Sequence, residues 1–215
     1  MTPMAAPDFP SDLEWLNVDR PLSIRDLSGR VVLLSFATFT CSNCMRLAPD
    51  IRRLEERHPG LVVVEVHYPG FESSAVGENF REAVRRAGLE HPVAIDRERL
   101  LWRVFGVRDW PTFVLIDPQG NVVGKTAGEG LYGRLAPKID RMAAEFGERG
   151  LIRGERLSSG AVLETSLYRP GKIAADNAGM RLFMSDTGHN RIVVADGNGK
   201  ILETIGSGAP GNIDG

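Results

Sequence analysis

Two cysteines separated by two residues, shortly after an apolar run, constrain the fold of this chain more than any other feature. Val31 to Leu34 is an apolar run typical of a buried strand, and Cys41 and Cys44 follow within ten residues. The segment after them has apolar residues at helical spacing, namely Leu47, Ile51 and Leu54. This pattern predicts a strand that delivers Cys41 to the first turn of a helix, where free backbone N–H groups favour a thiolate.

The spacing of the pair indicates reversible disulfide chemistry. Cys44 lies close enough to Cys41 to close a small disulfide ring, and these are the only two cysteines among 215 residues. We expect the Cys41 thiolate to attack a partner disulfide and Cys44 to resolve the mixed disulfide. Two alternatives stay open: a zinc site shared between two chains, because zinc needs four ligands, and a pair of inert buried thiols. The four histidines, His58, His67, His91 and His189, show no metal-ligand spacing.

Composition indicates a globular chain and gives no electrostatic case for nucleic acid. The sequence is 42% hydrophobic and 25% charged, enough to bury a sizeable core, and its net charge is −2. No apolar stretch approaches the roughly 20 residues of a membrane span, and the first residues lack the basic and apolar regions of a signal peptide. We therefore expect no membrane partner and a cytoplasmic location, where reducing systems hold both cysteines mostly as thiols.

Further motifs carry a resemblance to a known family. The segment from Phe36 to Cys44, Pro49 after it, and Trp110-Pro111-Thr112 late in the chain resemble a thioredoxin fold. The order of motifs is similar to that of thioredoxin-like domains fused to NHL-repeat β-propellers, and it covers nearly the whole chain. The motifs are Trp15-Leu16-Asn17, Pro21-Leu22-Ser23, the cysteine segment, Val66-His67, His91-Pro92-Val93, Trp110-Pro111-Thr112 and Gly128-Glu129-Gly130.

The resemblance implies an α/β fold, a thioredoxin-like αβα sandwich with a TlpA-like insertion, followed by a small all-β segment. The insertion is an extra helix and strand between the second buried strand and Pro111. Within the helix after the cysteines, Pro49 predicts a kink. We expect a mobile N-terminus over 1–12, a thioredoxin-like domain over 13–150, a linker over 151–168 and one NHL repeat over 169–215.

The last part of the chain changes its period. Strand candidates recur about every ten residues, at 172–175, 181–185, 191–195 and 200–205, with turn-forming residues between them. They predict one four-stranded antiparallel sheet, the unit of a propeller blade. The amino-acid sequence of this stretch resembles an NHL repeat. Because a single blade cannot close a ring, we expect a fragment of a longer protein, with exposed apolar surface and poor packing on the first domain.

The resemblance also implies roles at the site. Such folds place a cis-proline opposite the cysteines, which predicts a cis Trp110–Pro111 bond and substrate binding by Trp110, Pro111 and Thr112. A core tryptophan without substrate contact is the alternative for Trp110. The redox-active Cys41–Cys44 disulfide is the one redox group expected, with no metal and no separate cofactor.

One departure from the family concerns proton transfer. Many thioredoxins carry a buried acid just before the phenylalanine of the active-site strand, whereas this chain has Ser35 there. Ala37 and Thr40 also stand where aromatic residues are common. Proton transfer then falls to His67 or Glu72, and a structural role for His67 is the alternative.

The leading hypothesis is a thiol–disulfide oxidoreductase module joined to an NHL portion that selects a protein partner. Its substrates would be protein or small-molecule thiols and disulfides. The alternative is an interaction scaffold with a catalytically weak thioredoxin-like domain, favoured by Ser35, Ala37 and Thr40. A thiol peroxidase is a weaker reading because the segment before Cys41 lacks that family's threonine-proline-cysteine arrangement.

Overall fold

The structure, a computed structural model, describes residues 4–38, 41–69, 76–128, 130–153, 167 and 170–209. The chain divides into two compact units, which are described separately. The first comprises Met1–Arg81 with Glu90–Val162, and the second comprises Glu82–Leu89 with Leu163–Gly215.

The first unit is built on a seven-stranded mixed sheet. Its strands are β1 (Met4–Ala5), β2 (Glu14–Leu16), β3 (Val31–Ala37), β4 (Leu61–His67), β5 (Val93–Ile95), β6 (Thr112–Ile116) and β7 (Asn121–Ala127). They lie in the order β1-β7-β6-β3-β4-β5-β2. The central strands β3, β4 and β5 are parallel, and every other neighbouring pair is antiparallel. The sheet therefore has its parallel strands at the centre and its hairpin β6–β7 on one side.

Five helices accompany this sheet in the chain. They are α1 (Ser42–Arg46), α2 (Ala48–Arg57), α3 (Val76–Ala87), α4 (Leu100–Val104) and α5 (Leu131–Glu148). The predicted kink is confirmed as a break, since α1 ends before Leu47 and Pro49 lies in the first turn of α2. Proline is tolerated there because the first-turn N–H groups have no helical partner. The predicted insertion is also present, as α3 and β5 between β4 and Pro111.

Both faces of the sheet are covered by apolar packing, as an αβα sandwich requires. Alternate residues of β3 and β4 point to opposite faces. On one face Val31, Leu33 and Val63 pack with residues of α2 and α5, including Leu54 and Ile139. On the other face the intervening residues pack with α4 and the N-terminal segment; they include Val32, Leu34, Val64, Leu101 and Phe9.

The described part of the N-terminal segment pairs with the sheet and packs on it, while the predicted mobility of 1–12 stays a prediction. β1 pairs antiparallel with β7, and the Ala6 N–H donates to the Gly120 carbonyl at 2.8 Å. Phe9 is buried and its ring meets Trp15 edge-on, with centroids 5.1 Å apart. One buried aromatic ring and one strand pairing therefore join this proline-rich segment to the first unit.

The second unit contains the predicted four-stranded antiparallel sheet. Its strands are β8 (Pro170–Asp176), β9 (Arg181–Asp186), β10 (Arg191–Asp196) and β11 (Ile201–Ile205), hydrogen-bonded in sequence order. Val193, Val194 and Ala195 on β10 are buried. The prediction of exposed apolar surface is confirmed for Ile173, Ile192, Ile201, Leu202 and Ile205, which are 40–63% exposed.

A buried carboxylate holds the connection between β9 and β10. Asp186 is fully buried, and its Oδ2 accepts hydrogen bonds from His189 Nδ1 at 2.7 Å and Arg191 Nε at 2.8 Å. His189 lies in a short 3-10 turn, Thr187–His189, between the two strands. The polar residues of this segment therefore fix the turn that aligns the two central strands of the sheet.

Candidate active site

The cysteines lie where the sequence predicts them, at the start of the helix that follows β3. Cys41 is the residue preceding α1, and Cys44 lies one turn into it. The Cys44 backbone N–H donates to Cys41 Sγ at 3.3 Å. Both cysteines are free thiols and both are partly exposed. Solvent exposure alone therefore does not tell which of them attacks first and which resolves the mixed disulfide.

The surroundings of Cys44 raise the pKa of its thiol. Burial raises the pKa of the Cys44 thiol to about 12, and its hydrogen bond with Cys41 and the negative charge of Glu65 act in the same direction. A hydrogen bond from the Thr38 backbone amide opposes them without cancelling them. Cys44 is therefore protonated at neutral pH, and its proton must leave when it acts as a nucleophile.

The Trp110–Pro111 peptide bond is cis, as predicted. It immediately precedes β6, whose Thr112 pairs with Phe36 near the end of β3. The Pro111 carbonyl accepts a hydrogen bond from the Gly128 N–H at 3.3 Å. The turn thus lies at the same end of the central strands as the segment that leads to Cys41.

The three residues predicted to bind substrate differ in their accessibility. Pro111 and Thr112 are buried, and the Thr112 hydroxyl donates to the Asp109 carbonyl at 2.7 Å within the turn. Trp110 is partly exposed. A side-chain contact with substrate is consequently open to Trp110, while the Thr112 hydroxyl already serves the turn.

An aromatic cluster capped by an arginine surrounds Trp110. Its ring stacks with Tyr68, with centroids 6.0 Å apart and planes 10° apart, and lies 4.9 Å from the ring of Trp102. The Arg99 guanidinium carbon lies 3.9 Å from the Tyr68 centroid and 5.9 Å from that of Trp110. Arg99 is exposed and follows β5 with a left-handed backbone (φ 54°). The cluster places a positive charge beside the cis-proline turn.

A buried polar cluster lies on β4. Glu65 Oε1 accepts a hydrogen bond from His67 Nε2 at 2.7 Å, and Oε2 accepts one from His91 Nε2 at 2.9 Å. His91 Nδ1 lies 3.5 Å from Oε1 of Glu55 on α2. The His67 ring meets Phe80 edge-on at a centroid distance of 5.4 Å. One carboxylate therefore binds two imidazoles inside the first unit.

The ionised state of this cluster follows from its hydrogen bonds. Burial alone would raise the pKa of Glu65, but the charge of His67 and the hydrogen bonds from both histidines hold it at about 2. For His91, burial would lower the pKa, yet hydrogen bonds and charges of Glu55 and Glu65 raise it to about 9. Glu65 and His91 form an ion pair across the neutral pH range.

The buried cluster of Glu65, His67 and His91 lies on the side of the sheet that is covered by α2, the helix that follows the cysteines. Ser35 pairs in register with Glu65, and Ala37 pairs with His67. By strand alternation these residues face the same side as Leu33 and Val63, the side covered by α2. The polar cluster thus replaces apolar packing at the end of the core closest to the cysteines.

Sequence reasoning found only part of this site. The structure places Cys41, Cys44, His67 and Trp110 at the same end of the central strands, whereas Glu72 lies outside the described residues. Glu65 and His91 were missed as functional residues. A carboxylate inside the apolar run from Leu61 to Val66 was a readable signal for Glu65, because burying a lone charge is costly. No sequence signal marked Arg99.

Searches for metal clusters and membrane spans give negative results within the described residues. No group of three or more His, Cys, Asp and Glu side chains in that part of the chain is arranged to hold a metal ion. Likewise, none of the helices described there is long and apolar enough to cross a membrane.

The seven-stranded sheet, the cysteine pair at a helix start and the cis-proline turn define a thioredoxin-fold protein. Residues 29–122 match the family model described as Thioredoxin-like. The chain is also 32% identical over 125 residues to the thiol-disulfide oxidoreductase ResA of Bacillus anthracis, covering 58% of this chain and 68% of that protein. This chain belongs to the thioredoxin-like family, and its relatives include thiol–disulfide oxidoreductases.

Other relatives extend along the whole chain. It is 39% identical over 220 residues to NHL repeat-containing protein 2 of Bos taurus, covering 99% of this chain and 30% of that protein. It is 37% identical over 225 residues to Protein SUPPRESSOR OF QUENCHING 1, chloroplastic, of Arabidopsis thaliana, covering 100% of this chain and 21% of that protein. The chain therefore spans less than a third of the length of these two relatives.

A solved structure shares the fold. The crystal structure of a thioredoxin-like superfamily protein superposes with a TM-score of 0.59, covering 65% of this chain and 96% of the other. Its sequence identity of 20% shows the fold alone. The predicted α/β thioredoxin-like fold, followed by a separate four-stranded antiparallel sheet, is confirmed.

Proposed function

We propose that this chain is a thiol–disulfide oxidoreductase module in which Cys41 attacks a partner disulfide and Cys44 resolves the mixed disulfide. The observation that carries the proposal is the asymmetry of the pair. Cys41 Sγ lies at the helix start and accepts the Cys44 N–H at 3.3 Å, while the pKa of Cys44 is about 12. The residue that is protonated at neutral pH suits the second step and not the first.

The substrates would be protein or small-molecule thiols and disulfides, bound beside the cis-proline turn. Trp110 supplies a partly exposed aromatic wall, and Pro111 and Thr112 contribute the turn that shapes it. The Cys41–Cys44 pair is itself the redox group. His67 is the described residue proposed for proton transfer, since Glu72 lies outside the described part of the chain.

The second sheet is proposed to be one NHL repeat, a blade that contributes to partner selection. Its relatives named as NHL repeat-containing proteins and its exposed apolar residues, such as Ile201 and Leu202, support this role. The domain limits 13–150 and 169–215 and a cytoplasmic location remain predictions. A nearly balanced charge, −2, gives no reason to propose nucleic acid or an anionic membrane as a partner.

A trapping experiment tests the redox assignment. Cys44→Ser should accumulate mixed disulfides with an oxidised peptide substrate, because its second thiol is absent, while Cys41→Ser should neither trap nor turn over. Mass spectrometry of the non-reduced protein measures the adduct. Trapping by Cys41→Ser alone would reverse the two roles.

The second candidate function, an interaction scaffold, is favoured by the exposed apolar residues of the second sheet. Absence of exchange by the unaltered chain with a range of dithiols and disulfides would support the scaffold. The two candidates are thus separated by the behaviour of the native sequence, without any variant.

A further inference from the structure

A buried carboxylate between two imidazoles needs an explanation beyond packing. Glu65 is 7% exposed and stands in a strand whose other residues are nearly all apolar. Burying charged groups costs several kcal/mol per ion, and an apolar core of the same volume is often at least as stable. The cluster lies on the α2 side of the sheet, the side on which the cysteine helix begins.

We propose that Glu65 is a positioning residue for the resolving step, holding His67 in the tautomer and orientation that accept the proton of Cys44. The proposal rests on the oxidoreductase function proposed above and names the groups that handle its proton. His67 would be the proton acceptor, and Glu65 would act only through His67.

The tautomer follows from hydrogen-bond chemistry. An ionised carboxylate can only accept, so His67 Nε2 must carry a hydrogen to make its 2.7 Å contact with Oε1 of Glu65. The proton-accepting nitrogen of a neutral His67 is then Nδ1. His91 Nε2 donates a hydrogen bond to Oε2 of Glu65 at 2.9 Å, and His91 Nδ1 lies 3.5 Å from Glu55 Oε1. His91 therefore holds the Glu65 carboxylate on the side opposite His67.

Register places His67 at the end of β3 that leads to the resolving cysteine. His67 pairs with Ala37 across β3 and β4, and the Tyr68 N–H donates to the Ala37 carbonyl at 3.2 Å. The next residue, Thr38, directs its backbone amide to the Cys44 thiol. The negative charge of Glu65 reaches the same thiol and raises its pKa. Cys44 and His67 therefore adjoin consecutive residues at the end of β3.

The charged surroundings of His67 are limited among the described residues. Glu65 faces it from β4, while His91, before β5, and Glu55 on α2 act through Glu65. Phe80 of α3 contributes an uncharged ring. Asp96, whose N–H donates to the His67 carbonyl, uses its carboxylate to cap the amides of Leu100 and Trp102.

The step balances without a further reagent. Cys44 sulfur attacks Cys41 sulfur in the mixed disulfide, the Cys41–Cys44 bond forms, and the bond from Cys41 to the partner sulfur breaks. The electron pair leaves with the partner thiolate, so the partner disulfide is reduced and the cysteine pair is oxidised. The Cys44 proton passes to His67 Nδ1 and from there to the departing thiolate or to water.

An aromatic disulfide, dithiobis-nitrobenzoate, separates the two steps. Reduced protein releases one nitrothiobenzoate when Cys41 attacks and a second when Cys44 resolves, and stopped-flow absorbance follows both. His67→Gln should slow the second release about 100-fold, and Glu65→Gln about tenfold or more, with the first release within about twofold of wild type. The matched control is His58→Gln, which removes a histidine outside the cluster, 3.3 Å from Asp140, and should leave the second release within about threefold of wild type.

The pH dependence of the second release distinguishes proton transfer by His67 from a purely structural role of this residue. Without His67, hydroxide must remove a proton from a thiol whose pKa is about 12, so the second rate should rise about tenfold per pH unit from pH 6 to 9. The wild-type rate should rise less steeply.

Three results would overturn the inference. These are equal slowing of both releases in Glu65→Gln, equal slowing of the second release by His58→Gln and Glu65→Gln, or a second release at the wild-type rate in His67→Gln. The last variant keeps the buried carboxylate and decides the question should Glu65→Gln fail to fold. Failure of wild type to make even the first, Cys41-dependent release would instead refute the proposed function.

Discussion

The ion pair of His91 and Glu65 predicts that the first unit loses stability as the pH rises towards 10. His91 has a folded-state pKa of about 9, above its ordinary 6.5. A group whose pKa is raised by folding contributes stability that is fully present below its unfolded pKa. That contribution is lost as the pH rises through the folded pKa, so the sensitive window extends from about pH 6.5 to pH 9 and slightly beyond.

The size of the loss follows from linkage. With pKa values of about 9 in the folded chain and 6.5 in the unfolded chain, His91 contributes about 2.5 kcal/mol to the free energy of unfolding at pH 7. At pH 10 that contribution is close to zero. His91→Gln removes the titrating group, so its stability should change less with pH, by about 2.5 kcal/mol over this interval.

Urea unfolding followed by tryptophan fluorescence measures the effect. All three tryptophans, Trp15, Trp102 and Trp110, belong to the first unit, so the signal reports on that unit. Free energies of unfolding for wild type and His91→Gln should be obtained at pH 7, 8, 9 and 10, and their difference plotted against pH. Parallel pH profiles for the two proteins would refute the reasoning, because other titrating groups are common to both.

Two further predictions concern Arg99 and Asp186. Arg99→Glu should raise the KM for oxidised glutathione, an anionic disulfide, about three- to tenfold and leave or lower that for cationic cystamine, as a near-surface charge contact predicts. The control is Arg97→Glu, since Arg97 already bonds Glu14 at 2.6 Å, and equal effects of both variants would contradict a specific role. Asp186→Asn should destabilise the second sheet by about 3 kcal/mol, because its buried carboxylate binds His189 and Arg191. Hydrogen exchange at Val193 and Val194 measures this, with the partly exposed Asp176→Asn as a control expected to leave the protection of these residues nearly unchanged. Unchanged protection in Asp186→Asn would count against the role of this carboxylate.

The sequence predicted those parts of the fold in which a local residue pattern is enough to determine the secondary structure. Apolar runs marked β3 and β4, and ten-residue spacing with turn residues between the strands marked β8 to β11. These signals depend on a period or on residues with restricted backbone conformations, and neither requires knowledge of distant neighbours. The burial of Phe9 gave no such local signal, since Phe9 acquires its position from contacts with Trp15 and the sheet.

The site was less predictable because its polar groups meet across the sequence. Cys41 and Cys44 act within one turn of helix, so their spacing carries the information. Glu65 and His91 are 26 residues apart, and Arg99 meets Tyr68 and Trp110 only after the turns that follow β4 and β5 have formed. Single-sequence reasoning can flag a charge in an apolar strand, but it cannot say which imidazole will reach it.

The position of the acid follows from the strand order. Ser35 and Glu65 are register partners on β3 and β4, so a carboxylate at either point lies on the α2 side of the sheet. Of these two strands β4 alone adjoins β5, and the Glu65 N–H donates to the Pro92 carbonyl at 2.9 Å, which brings the preceding residue, His91, beside the Glu65 side chain. A carboxylate at Ser35 would be one strand further from that imidazole. With serine on β3 and glutamate on β4, the fold obtains a buried carboxylate with two fixed hydrogen-bond donors, and one of them, His67, extends to the end of β3 that leads to the cysteines.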